Sequence, residues 1–137
     1  MKLSLTRELS EIQRIVEARR AFFAERGLPA TLAYAVDLAT EELFVNMIRH
    51  NSVTTEAITL ELEAVQDGVV ISLTDHNAEP FDPRDVAPVD CTLPLEERRT
   101  GGLGLHLVRS LVGAVHYTYQ NRCSTVSFVA KVEPQHV

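Results

Sequence analysis

"GGLGLHLVRSLV", residues 101–112, sets three glycines within four positions and then runs into apolar residues at helical spacing. Glycine costs roughly 1 kcal/mol against alanine inside a helix, so a cluster at a helix entrance points to a need for bare backbone there. Two needs fit. One is a tight turn ahead of the helix. The other is a set of exposed amides: the first N–H groups of a helix lack intrahelical partners and the aligned peptide dipoles add positive potential, so the entrance attracts phosphate. The rest of the chain has to choose between them.

The chain has 137 residues, room for a single domain over 1–137 that can bury an ordinary core. Hydrophobic residues make up 45% and charged residues 23%, the balance of a soluble globular protein. It contains no apolar run of about eighteen residues, and "MKLSLTRELS" lacks the apolar stretch and small-residue cleavage site of a signal peptide, so the expected location is cytoplasmic and no membrane is expected as a partner. Cys91 and Cys123 stand apart from each other and from any histidine cluster, which argues against a zinc site or a disulfide framework. A net charge of −6 disfavours direct nucleic-acid binding, which calls for a basic patch, and is compatible with a basic protein partner.

Leu3 and Leu5 alternate with polar residues as a short strand, and Leu9, Ile12, Ile15, Val16, Arg19, Phe22 and Phe23 recur at helical spacing until Gly27-Leu28-Pro29. Arg19 and Arg20, late in that helix, read as favourable charge near a C-terminus or as a partner contact. A second helix, from about Thr31 to His50, is apolar on most sides and therefore largely buried. Alternation from Ile58 to Ala64, a turn signal at Asp67-Gly68 and "VVISLTD" predict a hairpin with one face on the core. Residues 82–100 hold three prolines and no sustained period, a length of loop that in a compact domain is a lid, a binding segment or disordered. After the glycine-led helix, "AVHYTYQ" and "TVSFVAKV" predict two more strands about a turn near Asn121. The expected fold is α/β (α+β): a two-layer sandwich of a mixed, mostly antiparallel sheet with helices on one face.

Polar residues interrupt the buried helix. Glu42, Asn46 and Arg49 fall within an arc of about 60° on one face, with His50 beside it. A carboxylate on a mostly apolar helix is expensive to bury unless it is paired or bound. Glu42 can pair with Arg49 while Asn46 ties down a loop, or the amide oxygen can serve a magnesium–nucleotide site while the carboxylate takes a proton from a nucleophile. Asp75, at the end of "VVISLTD", is either a turn former or a third member of that site, since its loop leads through 82–100 to the glycine helix.

These stretches resemble the three boxes of the gyrase and histidine-kinase type ATPase superfamily: "EELFVNMIRH" (41–50) the N box, "DHNAEPFDP" (75–83) the G1 box and "TGGLGLHLVRSLV" (100–112) the G2 box. The spacing, with "PFDP" followed by "LPLEERRTGGLGLHLVR", is most similar to the superfamily's anti-sigma factor serine kinases, over about residues 30–132. The resemblance implies a Bergerat ATP-binding fold with a mobile ATP lid over 82–100, and ATP and Mg2+ as cofactors. By position, Glu42 would be the general base toward a substrate serine and Asn46 the magnesium ligand. Asp75 would accept a hydrogen bond from the adenine amino group, with Asn77 in its turn. Gly102 and Gly104 would form the lid hinge and phosphate-facing turn, flanked by Thr100 and Leu105. Ser124 or Thr125 would offer a hydroxyl near the adenine; His50 carries no assigned step. The implied partners are a sigma factor and a small anti-anti-sigma antagonist, phosphorylated on serine in a partner switch, and a homodimer is compatible with the family. The chain departs from the pattern where Asn77 replaces the glycine of Asp-x-Gly and Phe81 lies six rather than five positions after Asp75. The altered loop favours an alternative, a noncatalytic interaction module with a degenerate nucleotide pocket, whereas Glu42 and Asn46 disfavour it.

Overall fold

Apolar alternation and helical spacing resolve into eight elements in a computed structural model that describes residues 1–52, 54–80 and 102–132. In chain order they are β1 (Lys2–Leu5), α1 (Ile12–Arg26), α2 (Ala33–His50), β2 (Ile58–Val65), β3 (Gly68–Asp75), α3 (Gly102–Val112), β4 (Val115–Gln120) and β5 (Cys123–Lys131), with short 3-10 turns leading into α1 and α2. The strands form one sheet in the order β1-β2-β3-β5-β4. All four pairings are antiparallel, so the sheet is the antiparallel limit of the one expected from sequence.

The inward face is a continuous apolar layer. Leu62, Ile71, Phe128 and Val115 stand opposite one another across four strands, as do Leu60, Leu73 and Val126 across three, and all are buried. Phe22, Val36, Leu43, Phe44 and Val108 close over this layer from the three helices. The outward face carries hydroxyls instead: Ser4, Thr59, Thr74, Thr125 and Thr118 line up across all five strands. Period-two alternation accounts for both rows, because successive side chains on a strand point to opposite faces.

Helix α1 stops at Gly27, whose φ of 65° is the left-handed conformation that glycine adopts without a Cβ clash. Gly68 has a different role from the one its sequence context suggests. The β2–β3 turn is made by Gln66 and Asp67, with Asp67 at φ 62°, while Gly68 already pairs with Val65 and faces Lys131 in the ladder. A Cβ at Gly68 would collide with the carbonyl oxygen of Ala130. That glycine answers the close approach of β5 rather than the turn.

Arg19 reaches Asp37 on α2, Nε to Oδ1 and Nη2 to Oδ2, each at 2.8 Å. Its charge therefore staples α1 to α2 instead of serving the end of α1. No helix among the described residues is long and apolar enough to cross a membrane. The segment 82–100 and Thr100 lie outside the described residues, as does Phe81.

Candidate functional site

The end of α2, the end of β3 and the start of β5 meet at one end of the sheet's inner strands, and there the polar residues are buried. Asp75 is last on β3 and pairs directly with Ser124 on β5, which fixes the side to which both point. Asn46 is 6% exposed, Asp75 3% and Ser124 6%. These three line one cavity with Leu43, Met47, His50, Asn51, Ala78, Glu79 and Val126. Its interior of about 30 Å³ has room for water-sized groups.

Asp75 does not stand free in this cavity. One carboxylate oxygen accepts from the Arg7 guanidinium and the other from Asn51 Nδ2 at 3.0 Å. Arg7 also reaches the Met47 carbonyl at 3.5 Å, and the Asn51 amide donates to that same carbonyl at 3.1 Å. Neither Arg7 nor Asn51 was singled out by sequence. Asn51 directly follows the "EELFVNMIRH" stretch, a signal of sorts; Arg7 lies 68 residues from Asp75 and has none.

Asn46 Oδ1 is buried with no hydrogen-bond partner. A buried, unpartnered acceptor costs on the order of 1–3 kcal/mol unless something binds it. Glu42, one turn earlier on α2, is half-buried and outside the cavity lining. Burial raises its pKa above the ordinary carboxylate value; Arg49 pulls it back down and Glu41 adds to the rise. Burial lowers the pKa of His50 and Arg49 lowers it further, so its uncharged ring is favoured where it lines the cavity.

Residues 76–79, which follow Asp75, are latched to the β4–β5 turn. The Ala78 amide donates to the Arg122 carbonyl at 2.9 Å, Tyr119 Oη donates to the Ala78 carbonyl at 2.7 Å, and the Arg122 side chain reaches Asn77 Oδ1 at 3.1 Å and Glu79 Oε1 at 3.2 Å. Asn77 takes φ 53°, the left-handed conformation for which glycine is the usual choice and which asparagine tolerates. The turn is kept without the glycine. Asn77 itself sits at the rim, bonded to Arg122, rather than among the cavity residues.

Of the two hydroxyls considered on β5, Ser124 faces the cavity. Thr125 does not: its Oγ1 lies 3.0 Å from Thr74 Oγ1 on the outward face, because adjacent strand residues point to opposite sides. Gly102, Gly104 and Leu105 lie in the first turn of α3, which packs beside α2. Among the described residues no group of three or more His, Cys, Asp or Glu side chains could hold a metal ion.

The fold is shared with solved structures of low sequence identity. The RsbU and RsbW domains of Rv1364c from Mycobacterium tuberculosis superpose with a TM-score of 0.67 at 15% identity, over 96% of this chain and 32% of that one. The Acinetobacter baumannii histidine kinase AdeS superposes with a TM-score of 0.55 at 13% identity, over 96% of this chain and 67% of that one. This chain thus spans about a third of the length of the Mycobacterium protein. No curated protein matches it. The family model that does match covers residues 5–130, taking in both walls of the cavity and the glycine-led helix: the chain belongs to the histidine kinase-like ATPase domain family, whose fold implies ATP binding.

Proposed function

We propose that this domain binds Mg2+-ATP at the α2–β3–β5 junction and acts as an anti-sigma type regulator, phosphorylating a serine of a small antagonist protein. The observation that carries the reading is the buried, unpartnered Asn46 Oδ1 sharing a cavity with buried Asp75 and Ser124. A lone amide oxygen suits magnesium, which takes few protein oxygens and completes its shell with phosphate and water. When bound, the ion would neutralise phosphate charge. Asp75 would accept from the adenine amino group with Ser124 beside it, and Gly102 and Gly104 would form the hinge and phosphate-facing turn, flanked by Thr100 and Leu105.

In the transfer step the substrate serine oxygen bonds to the γ-phosphorus as the bond to the ADP oxygen breaks, and the serine proton passes to Glu42. The raised pKa of Glu42 brings its proton affinity closer to the working pH than that of an exposed glutamate. The partner class comes from the order and spacing of the three boxes: a sigma factor held by this acidic surface and an antagonist that competes for it. The fold shared with a chain carrying an RsbW domain is compatible with that class. Phosphorylation adds nearly two negative charges to the antagonist, and repulsion from a domain of net charge −6 would release it.

Calorimetric titration with Mg2+-ATP tests the site. Saturable binding is expected, weakened by Asn46→Ala far more with magnesium than without. Glu42→Gln is expected to keep ATP affinity and lower transfer to the cognate antagonist by about 10²–10⁴-fold. Because the base must be deprotonated and its pKa is raised, wild-type transfer should climb with pH along an acid limb above 4.5 that the variant lacks. Retained transfer in Glu42→Gln removes Glu42 as the base. The second reading, a noncatalytic interaction module, is favoured by the altered loop, with Asn77 in the glycine position; absence of nucleotide binding would select it.

A further inference from the structure

The carboxylate at the heart of the cavity is held from outside it. Arg7, between β1 and the turn into α1, is not among the cavity residues, yet its side chain is 10% exposed and forms an ion pair with a carboxylate that is 4% exposed. Its guanidinium also reaches the Met47 carbonyl, so one side chain joins the end of β3 to the last turns of α2, the two walls between which a base would lie.

A carboxylate offers about four acceptor sites, two on each oxygen. Arg7 uses one on Oδ1 and Asn51 one on Oδ2, which leaves acceptor capacity on both. An ionised carboxylate accepts only, and so takes an amino group and repels a carbonyl oxygen. With its buried cationic partner removed, the carboxylate would keep only its hydrogen bond from Asn51 and could turn away from the base. A carboxylate turned away from the base neither takes the amino group nor repels a carbonyl. Among the described residues the other titratable groups lining the cavity are His50, from α2, and Glu79, which Arg122 engages at 3.2 Å.

We infer that Arg7 is a positioning residue for base selectivity: through its buried ion pair with Asp75 it makes the cavity choose a 6-amino purine over a 6-oxo purine. This rests on the nucleotide reading above and adds to it a residue from outside all three boxes. ATP and ITP share the ribose and triphosphate and differ only along one edge of the base, in the 6-substituent and the adjacent N1, which accepts in adenine and carries a proton in hypoxanthine, so their ratio of dissociation constants reads that edge.

The experiment measures both constants by calorimetry for the wild type, Arg7→Met, Arg7→Gln, Arg7→Lys and, as a structural control, Arg19→Met. The wild type is expected to prefer ATP by about tenfold or more. Arg7→Met and Arg7→Gln should bring the ratio to within a few fold, Arg7→Lys should restore much of it, and Arg19→Met should leave it unchanged. Arg7→Gln keeps a donor for the buried carboxylate, so it serves if Arg7→Met fails to fold. A wild-type ratio near one, or an unchanged ratio in either neutral Arg7 variant, overturns the inference while ATP binding leaves the nucleotide reading standing. Failure of the wild type to bind either nucleotide overturns both.

Discussion

Two arginine–aspartate pairs tie the first twenty residues to the rest of the domain, and they differ in how deeply the carboxylate is buried and in what it faces. Arg19 grips Asp37 with two parallel hydrogen bonds of 2.8 Å and lies over the Phe23 ring, 5.1 Å from its centre. The fork engages both carboxylate oxygens, and the Asp37 side chain is 25% exposed. Arg7 engages one oxygen of Asp75, Asn51 engages the other, and the carboxylate faces a cavity with acceptor capacity to spare. A part-exposed pair with both oxygens forked is a staple. A buried pair that keeps acceptor sites open toward a cavity costs desolvation energy that a staple does not need, and that excess marks the site.

The contrast can be broken experimentally. Asp75→Ala leaves the Arg7 charge buried and uncompensated, and should lower unfolding free energy by about 3–5 kcal/mol in chemical denaturation. A loss no larger than that of an exposed pair would erase the distinction. Arg19→Met should cost roughly 1 kcal/mol or less, and high salt should shrink the difference from wild type. The smallest stability effect is expected from replacing both members of the buried pair, Arg7→Met with Asp75→Leu, which should come within about 1 kcal/mol of wild type because two desolvated charges are removed together. That double variant should nonetheless fail to bind ATP in calorimetry. If it binds, adenine is recognised elsewhere.

Much of the architecture was legible in the sequence, because burial imposes its period on each element. Phe22 and Phe23 at helical spacing and Leu60 with Leu62 in alternation are now all core residues. Asn46 and Asp75 stood out as polar groups in apolar surroundings, and the structure sets them in one cavity. What misled was local context read without neighbours. Gly68 follows an aspartate as a turn glycine would, yet its reason is the carbonyl of Ala130 on β5. Thr125 is as plausible a hydroxyl as Ser124 until the pairing of Ser124 with Asp75 assigns the faces. Arg19 looked like a helix-end charge because Asp37, its partner, belongs to another helix.

By itself the sequence determined the order of elements, the faces they bury and the polar residues that interrupt them, since hydrophobic period and glycine placement act over a few residues at a time. Only the tertiary structure decided that Arg7 and Asn51 hold Asp75 and that residues 76–79 are latched to Arg122. Those contacts join segments as far as 68 residues apart. A buried carboxylate needs a partner, but no local pattern names which arginine the folded chain will bring to it.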